Sequence, residues 1–380
     1  SKQGYFYHDI KIIQINISGD LSMKVIMTGG GTGGHIYPAI AIADKIKEKQ
    51  PDAEILFVGT KKGLEKTLVP GNGYPIEFIT VSGFDRRNML KNIKTAADLV
   101  RGLSQAKKII KSFKPDVVIG TGGYVCGPVV KTAAKMGIRT YIHEQNAFPG
   151  MTNKMLEPYV DKVFMGFEKA GEYFKHPEKH IVVGNPVRKS FFTKTKQQAR
   201  EALGIAEDEF GGSRGAGRIN KAMLSVLKEV NGMDKTSLYF GTGDVYYDAI
   251  CHEAEELCGI ADNVHIMRYI DDMDNHLMAA DVVVSRAGAL SIAEICVCGK
   301  CAVFIPSPNV TGNHQYHNAK AVADRGGAFL IEEKDLTDEL LVSKLMELKN
   351  DPEKVKAMGQ AAKKCAFNDS AETIYETIFK

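Results

Sequence analysis

Few arrangements accommodate the heptapeptide Gly29-Gly30-Gly31-Thr32-Gly33-Gly34-His35. It follows the apolar run Met23-Lys24-Val25-Ile26-Met27 and precedes Pro38-Ala39-Ile40-Ala41-Ile42-Ala43, where proline at a first turn and then alanine and isoleucine predict a helix. A strand, a glycine turn and a helix leave main-chain N–H groups unpaired at the positive end of a helix dipole, which suits a phosphate or diphosphate. The plainer alternative is a βα connection whose glycines only satisfy a tight turn. Two further loops weigh against it. Gly120-Thr121-Gly122-Gly123-Tyr124 follows the apolar run Asp116-Val117-Val118-Ile119, and Gly211-Gly212-Ser213-Arg214-Gly215-Ala216-Gly217 precedes Ile219-Asn220-Lys221-Ala222-Met223-Leu224. Three such junctions point to one binding cleft.

At 380 residues the chain exceeds a single core, so two domains are expected. Apolar runs alternate with helical patterns twice over: 55–58, 76–79, 116–119, 140–142, 162–165 and 181–183, then 237–240, 264–267, 281–284, 302–305 and 328–331. This predicts an α/β protein with two doubly wound parallel sheets facing a cleft. Residues 23–187 form the first domain and 188–363 the second, with a hinge near Gly184-Asn185-Pro186-Val187-Arg188, where glycine and proline break both periodicities. Residues 1–22 precede the first Rossmann-like strand and read as an appended segment.

A net charge of +3 gives no support for a nucleic-acid-binding surface. Seven cysteines without a regular framework fit a reducing compartment. The cluster Cys296-Val297-Cys298-Gly299-Lys300-Cys301 lacks a companion with zinc-site spacing and reads as buried thiols. No apolar stretch reaches the length of a membrane span, and no signal core is visible, so the protein is expected on the cytoplasmic side. Between Phe84 and Lys114, the cations Arg86, Arg87, Lys91 and Lys94 interleave with Met89, Leu90 and Ile93. That mixture suits an anionic membrane surface, or an amphipathic helix with a solvated basic side.

Gly29, Gly31 and Gly34 also satisfy a dinucleotide fingerprint, but the next strand runs into Gly59-Thr60-Lys61 without the acidic residue that would bind a ribose. No glycine loop carries the Lys-Ser or Lys-Thr pair of a nucleotide-triphosphate loop. Asp271-Asp272-Met273-Asp274 could hold a divalent ion or cap a helix with negative charge.

Taken together, the loops 29–35 and 120–128, His143-Glu144-Gln145-Asn146, the stretches 183–188, 211–220 and 286–294, and Asn313-His314-Gln315-Tyr316 closely resemble the peptidoglycan N-acetylglucosaminyltransferases of glycosyltransferase family 28. The resemblance runs from Met23 almost to Lys380 and implies the GT-B fold, with a C-terminal helix at about 364–380 packing back on the first domain. It implies transfer of N-acetylglucosamine from UDP-N-acetylglucosamine to the 4-hydroxyl of the muramyl unit of lipid I, with inversion, giving lipid II. The enzyme would work peripherally on the cytoplasmic side of the cell membrane, without a cofactor or metal.

On that resemblance the acceptor side comprises Gly30, Gly31, Gly122, Gly123, Tyr124, His143 and Glu144. The donor side comprises Thr32, Gly33, Gly34, Asn146, Arg188, Ser213, Ile270, Ala289, Leu290, Ser291, Glu294 and Gln315. Glu294, one turn after Leu290, can accept both ribose hydroxyls while the preceding helix N-terminus faces the diphosphate. His35 is the candidate general base, or else a ligand of the acceptor diphosphate; an imidazole with an ordinary pKa near 6.5 serves either role. One departure stands out. Family members lead into the third glycine loop with a full strand, whereas here 203–210 lacks four or five apolar residues in a row. This leaves open an impaired UDP-sugar-binding protein. His314 also stands where some relatives carry glutamine.

Overall fold

The computed structural model describes residues 22–83, 89–206, 210–211 and 217–380, with backbone alone for 89–94, 210, 211, 217 and 311. The appended segment, apart from Ser22, therefore lies outside the described residues. So do Arg86, Arg87 and Ser213.

Seven strands build the first sheet: β1 (Lys24–Thr28), β2 (Glu54–Gly59), β3 (Ile76–Phe78), β4 (Val117–Gly120), β5 (Arg139–Glu144), β6 (Lys162–Met165) and β7 (His180–Val182). Their order is β3-β2-β1-β4-β5-β6-β7, and every pairing is parallel. Such a sheet is covered on both faces, so Val25, Met27, Val117 and Ile119 pack with one set of helices and Ile26, Val118 and Ile142 with another. The glycine loops at 29–35 and 120–124 and the loop after Glu144 leave the same, carboxyl-terminal edge.

The helix after the first loop runs from Gly33 to Lys49. Pro38 therefore sits in its second turn, not its first, and His35 falls in the first turn. The residue whose carbonyl Pro38 fails to pair is Gly34, where no side chain adds to the crowding that proline normally causes.

Among the described residues the second domain has six strands: β8 (Phe210–Gly211), β9 (Thr236–Gly241), β10 (Val264–Met267), β11 (Val282–Ser285), β12 (Cys301–Phe304) and β13 (Ala328–Leu330). They divide into two parallel three-stranded sheets, β10-β9-β8 and β11-β12-β13. The described part of β8 is two residues, paired with Thr236 and Ser237. It covers only the start of β9, so no ladder joins the sheets among the described residues. A shared core ties them together: Phe240 and Val264 of one sheet and Val284 and Val303 of the other pack with Met223 and Leu227 of the helix Gly217–Val230.

Two crossings link the domains. At Gly184, φ is +78°, and a Cβ there would lie 2.3 Å from that of Phe367. The outgoing and returning chains thus press against each other, and only glycine fits. The returning chain ends in the helix Ser370–Phe379, whose Ile374 and Ile378 complete the first domain's core beside Ile36 and Ile46. Arg139 Nη1 donates to Ile378 O at 3.0 Å, and Lys49 pairs with Glu372 at 2.7 Å.

Candidate functional site

The first two glycine loops are stitched together around His35. Gly30 N donates to Gly122 O at 3.2 Å, Thr121 N to Thr28 O at 2.8 Å, and Thr121 Oγ1 to His35 O at 2.7 Å. At Gly123 φ is +87°, and a Cβ would lie 2.4 Å from Gly30 O. His35 Nδ1 lies 3.0 Å from Gly30 O. A carbonyl can only accept, so Nδ1 donates to it, and in the neutral imidazole Nε2 is the nitrogen that carries the lone pair. The first-turn N–H groups of Gly33 and Gly34 have no partner among the described residues, which leaves them for an anion. Tyr124 lies over Gly83 and is 61% exposed.

Gly31 differs. Its N–H donates to Glu65 Oε2 at 2.9 Å, while Thr60 N and Thr60 Oγ1 donate to Glu65 Oε1 at 2.9 and 2.7 Å. Glu65 is fully buried. A Cβ at Gly30, Gly59 or Gly63 would lie 2.6, 2.6 or 1.9 Å from its side chain. Three glycines thus make room for one acidic side chain, which occupies part of the turn expected to receive a phosphate.

His143 and Glu144, expected beside the acceptor, are buried inside the first domain's edge. Glu144 accepts from the main-chain N–H groups of Asn146 and Gly150 at 2.9 and 3.0 Å and from Asn153 Nδ2 at 2.9 Å. His143 Nε2 lies 2.9 Å from Gly184 O, and burial pushes its pKa down to about 4. Both side chains are thus held inside the loop that follows β5.

That loop reaches the second domain. Ala147 N donates to Asn318 Oδ1 at 2.8 Å, and Asn318 Nδ2 donates to Asn146 Oδ1 at 3.1 Å and Ala287 O at 3.3 Å. Asn146 also gives its Nδ2 to Glu144 Oε1 at 3.2 Å, so its amide has partners at both ends. Beside this clasp Phe148 stacks on His317 with centroids 6.0 Å apart. The carboxyl-terminal edges of the two domains meet here, since Ala287 follows β11.

Arg286 Nη1 donates to the carbonyls of Ile305 and Pro306, at 3.1 Å each, and its Nη2 pairs with Glu333. Gln315 Oε1 accepts from Ser307 N at 2.9 Å and Ala287 N at 3.3 Å, which fixes the loop from the other side. Ala289, Leu290, Ser291 and Glu294 all lie in the helix Ala289–Cys298, whose N-cap is Gly288. Ile270, three residues past β10, packs over Gly241 at the end of β9, on the same edge. Arg188, exposed at the crossing, forms no ion pair among the described residues; its guanidinium lies 5.2 Å from the Phe191 ring.

Asp272 is the N-cap of the helix Met273–Ala279, and Asp274 pairs with Lys194 at 3.0 Å. Burial raises the Cys298 thiol to about 11 and that of Cys301 to about 12. No cluster of three metal-ligating side chains occurs among the described residues. No helix among them is long and apolar enough to cross a membrane. Met89, Leu90, Lys91, Ile93 and Lys94 lie in the helix Met89–Phe113.

Sequence reasoning missed Glu65 and Asn318, and gave no role to Arg286 at the head of the stretch 286–294. The first had a signal, in Gly59 and Gly63 flanking it. The other two act on main-chain groups far away in the sequence, which no local pattern reveals.

Two parallel-sheet domains meeting at their carboxyl-terminal edges, with glycine turns and helix N-termini along them, form the GT-B architecture, whose cleft suits a phosphate-bearing ligand. The chain belongs to glycosyltransferase family 28: the family's N-terminal domain matches residues 25–165 and its C-terminal domain residues 210–374. It is 44% identical, over 93% of its length and 97% of the relative's, to a UDP-N-acetylglucosamine--N-acetylmuramyl-(pentapeptide) pyrophosphoryl-undecaprenol N-acetylglucosamine transferase of Alkaliphilus oremlandii. A protein of the same name from Thermoanaerobacter is 46% identical over 94% of this chain and 99% of its own. The crystal structure of MurG from Acinetobacter baumannii superposes with a TM-score of 0.74 at 26% identity, covering 94% of this chain and 99% of that one. A UDP-GlcNAc 2-epimerase of Neisseria meningitidis shares the fold, with a TM-score of 0.68 at 15% identity over 94% of this chain and 99% of the epimerase.

Proposed function

We propose that this chain transfers N-acetylglucosamine from UDP-N-acetylglucosamine to the 4-hydroxyl of the N-acetylmuramyl unit of undecaprenyl-diphosphoryl-N-acetylmuramyl-pentapeptide, with inversion. The naming of its 44–46% identical relatives supports the substrates. One observation carries the chemistry: Nδ1 of His35 is committed to Gly30 O, so Nε2 is the free base of the first loop. In a single displacement the acceptor oxygen bonds to the sugar's anomeric carbon as the bond to UDP breaks, and the hydroxyl proton passes to Nε2.

UDP leaves with its diphosphate charge. The N-terminus of the helix Ala289–Cys298 and the Arg188 guanidinium offset it. Glu294 takes the ribose hydroxyls, Ile270 the uracil through its main chain, and the Gln315 amide nitrogen a sugar hydroxyl. Among the described residues only Oε1 is bound, to the Ala287 and Ser307 amides, which leaves that nitrogen for the sugar. Gly33, Gly34 and Gly123 offer N–H groups to the diphosphates.

The stretch 84–114 rests on anionic lipid at the cytoplasmic face, bringing the cleft to its lipid-linked acceptor. Steady-state kinetics test the base: His35→Ala should lower kcat by about 10²- to 10⁴-fold with the KM for UDP-N-acetylglucosamine unchanged. Unchanged turnover in that variant removes His35 from the chemistry.

A further inference from the structure

On the opposite side of the second domain, where β11 and β12 begin, lies a cavity of about 570 Å³. That volume is within the range of small-molecule sites, roughly 300–1,000 Å³. Its lining includes five lysines, Lys196, Lys300, Lys349, Lys356 and Lys363, against one carboxylate, Asp281. Asp281 is already engaged, by Lys196 at 2.5 Å and by Arg200 at 2.7 Å.

Lys300 Nζ donates to Met278 O at 2.6 Å and Lys363 Nζ to Val297 O. These bonds cap two helix C-termini and explain where both chains point. They supply only the partial charge of a helix end, roughly half an elementary charge, to each cation. Lys349 and Lys356 form no ion pair among the described residues, and Glu347 is taken by Lys344 and Lys354. Lys300 is 6% exposed. A buried amine facing further cations without a carboxylate of its own is costly, and such surplus charge marks a site for an anion.

We propose that this cavity binds a small, soluble, phosphate-rich anion at a site separate from the nucleotide-sugar cleft. The helix Ala289–Cys298 spans the two places: its N-terminus lies at the cleft edge, and Cys298 lines the cavity. Ten residues of helix put them about 15 Å apart, too far for one ligand to fill both. The concave shape favours a compact anion over a flat bilayer.

A proton is linked to binding. Burial, and then the charge of Lys196, bring the Lys300 amine down to about 8. The other groups facing it are Arg200, Asp281 and Cys298, whose thiol burial raises to about 11. An anion restores the charged amine, so binding at pH 8 draws in part of a proton.

Calorimetric titration of the full chain with inorganic tripolyphosphate, at low salt and in buffers of different ionisation heat, tests this. Saturable binding is expected, at least tenfold weaker in Lys349→Ser/Lys356→Ser, with proton uptake that disappears in Lys300→Met. Neither UDP nor phosphatidylglycerol vesicles should displace the anion. No saturable binding, binding unchanged in the double variant, or displacement by UDP would overturn the proposal, and displacement by the vesicles would overturn the soluble ligand. Should Lys300→Met fail to fold, the double variant at the rim still decides.

Discussion

Three side chains carry different burdens at the first domain's edge. His35 keeps one nitrogen for the loop and one for chemistry. Glu65 keeps nothing for a ligand, since both of its oxygens receive donors from the protein. In Glu65→Ala the N–H groups of Gly31 and Thr60 lose their partner, at a cost of about 1–3 kcal/mol each where water does not replace it. We expect a lower melting temperature and an acceptor KM raised about tenfold, with the donor KM within twofold; an unchanged acceptor KM would show that Glu65 is only a fold residue.

His143 gives a pH signature. In the folded chain burial holds it at about 4, against roughly 6.5 when unfolded. As the pH falls from 6.5 towards 4 the unfolded chain therefore binds the proton first, and stability drops, by at most about 3 kcal/mol from this group. Urea melts at pH 7.5 and 4.5 should show a smaller acid loss in His143→Gln than in the parent. Equal losses would mean that the imidazole is not buried as described. None of these three environments was legible in full. His35 was marked by its glycines, whereas the partners of His143 and Glu65 come together only when separate βα junctions pack.

Between elements, the decisive contact is Asn318, fully buried and bonded to main chain on both sides of the joint. Its neighbour Gln315 holds the N–H of Ala287 while Asn318 holds the carbonyl, so one helix, His314–Ala323, grips the loop after β11 twice. Asn318→Ala should lower kcat about 10- to 100-fold through misplacement of the two lobes, because small displacements of reacting groups cost rates of that order. The isolated affinity for UDP should fall less, as calorimetry would report. If kcat and UDP affinity fall in parallel, Asn318 serves the donor site alone. Glycines and apolar runs announced the elements, and the amides at 313–315 were visible as candidates. Asn318 was not, since a buried asparagine bonded to two distant loops looks like any helix residue in sequence.

For the whole molecule, alternating apolar runs and helical periods foretold parallel sheets in two domains, because buried βα units impose that pattern on any chain. The division of the second domain's strands was only half visible. The short apolar stretch before Gly211 predicts a curtailed strand, and of that stretch the described residues 210 and 211 ladder with Thr236 and Ser237. The shared core behind both small sheets holds them together.

Whether the two lobes work as a transferase is decided by one experiment. Radiolabelled UDP-N-acetylglucosamine and undecaprenyl-diphosphoryl-N-acetylmuramyl-pentapeptide are supplied in detergent or anionic vesicles, and lipid-linked disaccharide and UDP are followed together. Disaccharide and UDP should form in equal amounts, with turnover falling at least 100-fold in Glu294→Ala. UDP-sugar binding without disaccharide, or UDP release without a lipid-linked product, would contradict the assignment.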